Sequence, residues 1–188
     1  MRILLLDNYD SFTWNLEHLL GRFAQVDVRR NDALTVEEAA SYQRIVLSPG
    51  PGLPSEAGIM PELVRQLLPS HPILGVCLGL QALVEACGGN LINLSSVRHG
   101  VAVPCIPAQP VDPLFVGLEA SFPVGLYHSW AADPVKLPAD LAVTARSAEG
   151  VIMAVRHKRF PSTAVQFHPE SVLSPAGETI IRNWLASY

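Results

Sequence analysis

Short, unbroken apolar runs alternate with helical patterns along the first half of the chain, and this alternation limits the fold more than any other feature. The run Arg2-Ile-Leu-Leu-Leu6 has the apolar character of a strand that is buried on both faces. Further strands are predicted at Val26–Arg30, Arg44–Ser48 and Ile73–Val76. Strands that alternate with helices indicate an α/β fold, which we expect to be a doubly wound, mostly parallel sheet flanked by helices.

The helices between these strands are predicted from apolar residues at helical spacing. In the first helix Ser11 can act as N-cap, and its apolar face consists of Phe12, Leu16, Leu19, Leu20 and Phe23. The other predicted helices cover Val36–Ala40, Ile59–Leu68, Leu78–Ala86 and about Ala176–Ala186.

The second half of the chain contains more strands and fewer helices. Short strands are predicted at Leu91–Leu94, Val97–Val103, Leu141–Ala145, Val151–Val155 and Thr163–Phe167. We expect the sheet to carry a small antiparallel addition. A hydrophobic fraction of 49% in 188 residues is enough for one core, so the expectation is one domain that spans residues 1–188.

Composition excludes several classes of function. The net charge is −4, and no block of Lys or Arg could neutralise a run of phosphates, so no nucleic-acid partner is expected. The apolar runs are too short to span a bilayer and no signal peptide is recognisable, so we expect a cytoplasmic protein with no membrane partner. Cys77, Cys87 and Cys105 form no C-x-x-C pair, which argues against a structural zinc site or a disulfide framework. No metal or other cofactor is predicted.

The segment Gly75-Val-Cys-Leu-Gly79 has the spacing of a nucleophile elbow and lies between a predicted strand and a predicted helix. The residues two before and two after such a nucleophile must be small, because strand and helix approach each other there. The turn would expose the thiol of Cys77 near the positive end of the helix, with the amide of Leu78 free to bind an oxyanion. Alternatively, Cys77 is simply a small buried apolar residue.

A base for this thiol is predicted at the end of the last strand. In Val165-Gln-Phe-His-Pro-Glu170, His168 and Glu170 are two residues apart, so in extended backbone both side chains project to the same side. Pro169 restricts His168 to extended geometry. The carboxylate can then orient the imidazole, as a nucleophile's base requires. Without the elbow, His168 would be interpreted as an ordinary surface or core residue.

Through these two motifs and three further segments, the chain resembles the class I (triad) glutamine amidotransferases. It resembles most of all the glutaminase subunits of anthranilate synthase and aminodeoxychorismate synthase. The resemblance spans nearly the whole chain. It is carried by Leu6-Asp-Asn-Tyr-Asp-Ser-Phe-Thr-Trp-Asn-Leu16, Leu47-Ser-Pro-Gly-Pro-Gly-Leu-Pro54, Gly75-Val-Cys-Leu-Gly-Leu-Gln-Ala82, Tyr127-His-Ser-Trp130 and Val165-Gln-Phe-His-Pro-Glu-Ser171.

The resemblance implies a reaction and a role for each site residue. Cys77 would attack the side-chain amide of L-glutamine and release ammonia through a γ-glutamyl thioester, with His168 shuttling protons and Glu170 orienting it. The glutamine pocket and oxyanion hole would be formed by Gly50, Pro51, Gly52, Leu78, Gln81, Ser129 and Trp130. The ammonia would pass to a chorismate-using synthase subunit for anthranilate (tryptophan biosynthesis) or aminodeoxychorismate (folate biosynthesis), in a heterodimer or larger assembly.

The chain departs from the family pattern at three positions around the expected pocket and its rim. Leu80 stands where histidine is common, Val101 where lysine is common, and Leu126 where arginine is common. Asp7-Asn-Tyr-Asp10 could suggest a receiver domain or a nucleotide pocket, but no Gly-rich phosphate loop accompanies it. In the resembled family this stretch belongs to the fold near the partner-facing side, and we expect no catalytic role for it.

Three other functions stay open from the sequence. The chain could be a glutaminase for another ammonia acceptor, a stand-alone cysteine hydrolase of γ-glutamyl compounds, or a non-catalytic regulatory subunit that keeps the fold. The complete set of Cys77, His168 and Glu170 argues against the last of these.

Overall fold

The computed structural model describes the backbone of residues 1–188 and the side chains of residues 1–94 and 99–188. Nine strands of this backbone form one mixed β-sheet. The strands are β1 (Arg2–Asp7), β2 (Gln25–Arg30), β3 (Arg44–Leu47), β4 (Ile73–Val76), β5 (Leu91–Pro107), β6 (Phe122–Ala132), β7 (Leu141–Ser147), β8 (Ile152–His157) and β9 (Ser162–Val165). The helices are α1 (Thr13–Gly21), α2 (Val36–Ala39), α3 (Met60–Leu67), α4 (Leu78–Ala86) and α5 (Gly177–Ser187). Across the sheet the order is β2-β1-β3-β4-β9-β8-β7-β5-β6.

The first five strands in this order are parallel, as predicted. Strand β1 is buried on both faces, since Ile3, Leu4, Leu5 and Leu6 are all fully buried. Ile3 and Leu5 pack into one apolar layer and Leu4 and Leu6 into the other, which is the alternation that a pleated strand requires. The unbroken apolar run therefore has a physical cause, because both faces of this strand are covered.

Helices cover both faces of the parallel strands, which confirms the doubly wound fold. Helices α2, α3 and α4 contribute residues such as Leu63 and Leu83 to one apolar layer. Helices α1 and α5 contribute Leu16, Leu20 and Trp184 to the other. No helix in the described part of the chain is long and apolar enough to cross a membrane.

The antiparallel part of the sheet consists of β8, β7, β5 and β6 and is larger than a small addition. The two strands predicted at 91–94 and 97–103 are wrong as separate elements, because one strand, β5, runs through both. Its pairing with β6 shifts register between Asn93 and Arg98 and again between His99 and Val101, and these irregularities interrupt the alternation that defines a strand in sequence. Strand β6 was not predicted, because proline and glycine within it are typical of turns.

The start of α1 also differs from the prediction. The N-cap position is Phe12, and Ser11 is exposed and outside the helix. Asp10 takes over the capping function: its carboxylate accepts a hydrogen bond from the N–H of Phe12 (2.7 Å), and its carbonyl accepts one from Thr13 (3.2 Å). A carboxylate near a helix N-terminus is also favoured by the helix dipole.

Two glycines allow β4 and α4 to meet as closely as the elbow motif predicts. A Cβ atom on Gly75 would lie 2.5 Å from the carbonyl oxygen of Gly79. A Cβ atom on Gly79 would lie 2.8 Å from both the Cβ and the carbonyl oxygen of Leu47 in β3. Neither contact can be relieved by turning a side chain, so any larger residue would push the helix away from the sheet.

We therefore expect Gly79→Ala to lower the free energy of unfolding by roughly 2 kcal/mol or more, because its methyl group overlaps backbone atoms of β3. Urea unfolding measures this change. The matched control is Gly21→Ala at the end of α1, where a Cβ atom would lie 3.6 Å from its nearest neighbour. That control should be neutral or stabilising by up to about 1 kcal/mol. Equal stability of the two variants would contradict the packing account.

Candidate active site

Cys77 lies on the sharp turn between β4 and α4. Its backbone angles are φ 52° and ψ −97°, in a region that residues with a side chain rarely adopt. Such a conformation costs on the order of 1–3 kcal/mol and persists only where the surroundings impose it. One such constraint is the hydrogen bond that the N–H of Cys77 donates to the carbonyl of Val165 in β9 (2.8 Å). The predicted turn between strand and helix is thus present in the fold, but the expectation of an exposed thiol is wrong, because Cys77 is only 5% exposed.

The turn places the thiol at the N-terminal end of α4. Leu78 is the first residue of that helix, so its N–H group has no partner within the helix. The positive end of the helix dipole favours negative charge at this point. A thiolate, and an oxyanion bound beside it, would both be stabilised here.

The thiol faces a cavity of about 170 Å³. Six of the residues that the sequence assigned to the glutamine pocket line this cavity, whereas Leu78 lies beside it at the start of α4. The lining consists of Gly50, Pro51, Gly52, Cys77, Gln81, Tyr127, His128, Ser129 and Trp130. A second cavity, of about 190 Å³, shares His128 but does not contain the thiol. The first cavity is therefore the candidate active site.

The far wall of this cavity is held in place by a contact between α4 and β6. The side-chain amide of Gln81 donates a hydrogen bond to the carbonyl of Trp130 (2.9 Å). The same carbonyl lies 2.9 Å from Nδ1 of His128. Trp130 is thus tied to the site through its backbone.

Asn8 anchors the loop that carries Gly50. Its backbone N–H donates to the hydroxyl of Ser48 (2.9 Å), its side-chain amide donates to the carbonyl of Ser48 (2.9 Å), and its Oδ1 accepts from Asn31 (3.1 Å). A Cβ atom on Gly50 would lie 2.7 Å from the Cβ of Asn8. The acidic and amide-rich stretch after β1 therefore supports the loop geometry, which the sequence alone did not reveal.

His168 and Glu170 form a hydrogen-bonded pair within the protein. Nδ1 of His168 lies 2.7 Å from Oε1 of Glu170, and the two side chains are only 2% and 0% exposed. The backbone that brings them together differs from the prediction, because β9 ends at Val165 and the chain turns after His168. The N–H of Ser171 closes that turn by donating to the carbonyl of His168 (3.2 Å). The pairing of His168 with Glu170 was predicted from the sequence. The prediction of extended backbone through Glu170 was wrong.

The surroundings of His168 favour its charged form. Burial lowers its pKa, but interactions with Cys77 and Glu170 outweigh burial and raise the pKa to about 10. Nε2 of His168 is buried, and the hydrogen-bonding interaction with the side chain of Cys77 is the largest of the causes that raise this pKa. The result is an imidazolium that stays protonated at neutral pH.

The other two thiols lie in surroundings that disfavour a thiolate. Burial, and for Cys87 also the charge of Asp140, raises the pKa of Cys87 to about 11, and burial raises the pKa of Cys105 to about 12. Both cysteines are therefore protonated near neutral pH.

Two aromatic rings contact the imidazole of His168. The ring centroid of Phe12 lies 5.3 Å from that of His168 in an edge arrangement, and that of Tyr127 lies 4.8 Å away in a tilted one. The hydroxyl of Tyr127 is 2.9 Å from that of Ser171, which fixes its ring. Ring contacts of this kind restrict the orientation of the imidazole. Both residues lie within the motifs that carry the family resemblance, but no role at the site was predicted for either of them.

The three departures from the family pattern do not lie where they were expected. Leu80 is fully buried in the layer that α3 and α4 share, and Leu126 is 3% exposed in the opposite layer. Neither lines the cavity that contains the thiol. Only Val101, on β5, is exposed. The prediction of a changed pocket rim is therefore wrong for Leu80 and Leu126, because both side chains point into the core.

The described residues include no group of three or more His, Cys, Asp or Glu side chains that could hold a metal ion. Cys77 lines the cavity, whereas His168 and Glu170 are not among its lining residues. The thiol and the buried imidazole–carboxylate pair together match a nucleophile with an oriented base.

The family model for class-I glutamine amidotransferases matches residues 4–187. The chain belongs to this family. The aminodeoxychorismate synthase component 2 of Klebsiella aerogenes is 45% identical over 186 residues, which cover 97% of this chain and 98% of that protein. The anthranilate synthase component 2 of Thermus thermophilus is 44% identical over 191 residues, which cover 98% of this chain and 92% of that protein.

A solved structure supports the same assignment. A protein of Thermoplasma acidophilum, described as a putative subunit of GMP synthase, superposes with a TM-score of 0.87 at 25% identity, covering 99% of this chain and 92% of that one. The predicted family, fold and enzyme class, a glutamine amidotransferase, are confirmed by these matches. The roles of individual residues in this glutamine amidotransferase stay predictions that the geometry above makes testable.

We expect the imidazole of His168 to remain protonated well above neutral pH. Cys77→Ala should lower its pKa, because the interaction with the Cys77 side chain that opposes the effect of burial is then lost. The pKa of His168 in the folded protein lies above the ordinary value of 6.5, so protonation of His168 stabilises the folded state. This contribution to the free energy of unfolding is fully present below about pH 6.5 and is lost as the pH rises through about 10. NMR titration of the histidine Cε1 resonances measures the pKa. The control is His157, whose pKa burial lowers; an unchanged His168 titration in the variant would contradict the coupling.

Proposed function

We propose that this glutamine amidotransferase hydrolyses L-glutamine with Cys77 as nucleophile, His168 as proton shuttle and Glu170 as the group that orients His168. The observation that carries the proposal is the thiol on the strained turn, which faces a cavity of about 170 Å³ beside the unpaired amide of an α-helix. The pair formed by His168 and Glu170, with 2.7 Å between Nδ1 and Oε1, supplies the oriented base.

In the first half of the reaction, the sulfur of Cys77 attacks the side-chain carbonyl carbon of glutamine as a thiolate. The carbon–sulfur bond forms, the carbonyl π electrons move onto oxygen, and a tetrahedral oxyanion results. When the oxyanion collapses, the carbon–nitrogen bond breaks and His168 donates its proton to the leaving nitrogen, which departs as ammonia. A γ-glutamyl thioester and neutral His168 remain.

In the second half, neutral His168 takes a proton from water, and the resulting hydroxide adds to the thioester carbonyl. Collapse of the second oxyanion breaks the carbon–sulfur bond, releases glutamate and restores the thiolate beside protonated His168. Glu170 keeps Nδ1 of His168 hydrogen-bonded throughout, so that Nε2 is the nitrogen that exchanges protons. The buried carboxylate also stabilises the imidazolium before and after each turnover.

Two backbone elements are suited to bind the oxyanions. The amide of Leu78 lies at the start of α4, and the loop through Gly50, Pro51 and Gly52 forms the opposite lining of the cavity. Gly52 has φ 71°, and a Cβ atom there would overlap the carboxylate of Glu56, so the loop conformation depends on glycine. Each donor in an oxyanion hole typically contributes about 10²–10³ in rate.

We infer that the ammonia is delivered to a chorismate-using synthase subunit that docks over the cavity. Supporting this, the two relatives named above are each component 2 of a synthase, one for aminodeoxychorismate and one for anthranilate, and both align over nearly their full length. Docking would also keep ammonia from protonation by bulk water, which would remove its nucleophilic lone pair. The two relatives are almost equally similar to this chain, so the choice between the two products is left to experiment.

Cys77→Ala is expected to abolish product formation from glutamine by the complex with a matching synthase, while synthesis from added ammonium salt continues. The reason is that only the glutamine route requires a nucleophile in this chain. Glutamate release and formation of anthranilate or aminodeoxychorismate are measured in parallel, with each of the two synthases in turn.

Cys87→Ala is the matched control, because that thiol lies outside the cavity and is protonated near neutral pH. The Cys87→Ala variant should retain synthesis from glutamine and synthesis from added ammonium salt. Glutamine-dependent synthesis by Cys77→Ala would contradict the assignment of the nucleophile. Glutamate release that depends on Cys77 but is stimulated by neither synthase would point to another ammonia acceptor or to a stand-alone hydrolase.

A further inference from the structure

Gln166 is a buried polar residue that touches the candidate nucleophile and has no part in the mechanism above. It follows directly on β9 and is fully buried. Its backbone N–H donates to the carbonyl of Met153 in β8 (2.8 Å), which fixes its position. Its side-chain Nε2 lies 3.6 Å from the sulfur of Cys77, within hydrogen-bond range for sulfur. The amide thus reaches the sulfur from inside the protein, whereas the cavity lies on the substrate side.

Within the part of the chain that the structure describes, only the nitrogen of the Gln166 side-chain amide makes a hydrogen bond. Its Oε1 is buried and has no hydrogen-bond partner among the described atoms. A buried carbonyl without a partner is unfavourable, and an apolar side chain of similar size would fill the space without that penalty. The contact that an apolar residue could not provide is the N–H donated to sulfur. Packing alone therefore does not account for an amide at this position.

An N–H donor stabilises a thiolate far more than a thiol. A sulfur anion accepts a charge-assisted hydrogen bond, whereas neutral sulfur is a weak acceptor. The titratable side chains around Cys77 are His168, backed by Glu170, and His128 and Tyr127 across the cavity. Among these, His168 supplies opposite charge. Gln166 adds a neutral donor that the substrate cannot displace, because the residue is fully buried and does not line the cavity.

We propose that Gln166 is a thiolate-stabilising residue, which holds the sulfur of Cys77 in its anionic form and aims it toward the cavity. This inference rests on the proposed function, since it presupposes that Cys77 is the nucleophile. It assigns the nucleophile a second polar support besides His168. A residue with this role is expected to affect the chemical step and to leave glutamine binding unchanged.

The test compares Gln166→Met, which keeps the size and removes the donor, with Gln166→Glu, which keeps the shape and presents a carboxylate. The matched control is Thr163→Val in the adjoining strand β9. It changes a fully buried polar side chain whose hydroxyl contacts that of Tyr188 rather than Cys77. For each protein, the rate at which iodoacetamide alkylates Cys77 is measured from pH 5 to 10 by mass spectrometry of the modified peptide. Cys87 and Cys105 serve as internal references, because their raised pKa values keep them protonated over most of that range.

With the donor removed, the midpoint of the Cys77 alkylation profile should rise by about one pH unit or more in Gln166→Met, the size expected when a charged group loses a hydrogen bond. The shift should be at least as large in Gln166→Glu, because like charges repel. Glutaminase kcat should fall about tenfold or more with KM nearly unchanged. Thr163→Val should keep the wild-type profile.

Wild-type midpoints in Gln166→Met and Gln166→Glu, in proteins that unfold cooperatively like the wild type, would overturn the inference. So would an equal shift in Thr163→Val, because it would mean that any change in the strand disturbs the thiol. If Gln166→Met does not fold, the Gln166→Glu profile decides alone. Failure of the proposed function has a different signature, namely glutamine hydrolysis that survives Cys77→Ala, so the two failures can be told apart.

Discussion

The left-handed backbone at Cys77 is the constraint on which the rest of the site depends. A side chain at φ 52° is unfavourable, and the fold maintains it by clamping the turn between β9, which accepts the N–H of Cys77, and β3, against which Gly79 packs. The clamp works only because glycine occupies positions 75 and 79, where a Cβ atom would overlap backbone. This backbone conformation directs the sulfur into a cavity beside an unpaired helix amide. Acyl transfer to a thiol requires this geometry.

The position of β9 connects this turn to its base. Because β9 pairs with β4 in parallel, the ends of the two strands are neighbours, and the segment that follows β9 delivers His168 beside Cys77. The antiparallel half of the sheet completes the arrangement. Its edge strand, β6, provides the wall at Ser129 and Trp130, and its Gly125 forms a bridge with His168. The two halves of the mixed sheet thus each contribute part of one site.

The sequence predicted the parallel half of the sheet and the candidate triad because both depend on local patterns. Apolar runs mark buried strands, and the Gly-x-Cys-x-Gly spacing is a steric requirement that is visible without a structure. The antiparallel half was harder to predict, since β5 changes register and β6 contains Pro123 and Gly125. Contacts across the fold left no local signal: the rings of Phe12 and Tyr127 approach His168 only in three dimensions, as the amide of Gln166 approaches Cys77.

The most direct test of the account is to look for the covalent intermediate on Cys77. Wild-type protein is mixed with glutamine in the presence of its synthase, quenched in acid within milliseconds to seconds, digested, and analysed by mass spectrometry. The account predicts a γ-glutamyl adduct on the peptide that carries Cys77, which accumulates more in Glu170→Gln if the second, water-dependent half is slowed further than the first. Rapid glutamate release with no adduct on Cys77 at any quench time, or an adduct on Cys87 or Cys105 instead, would contradict it.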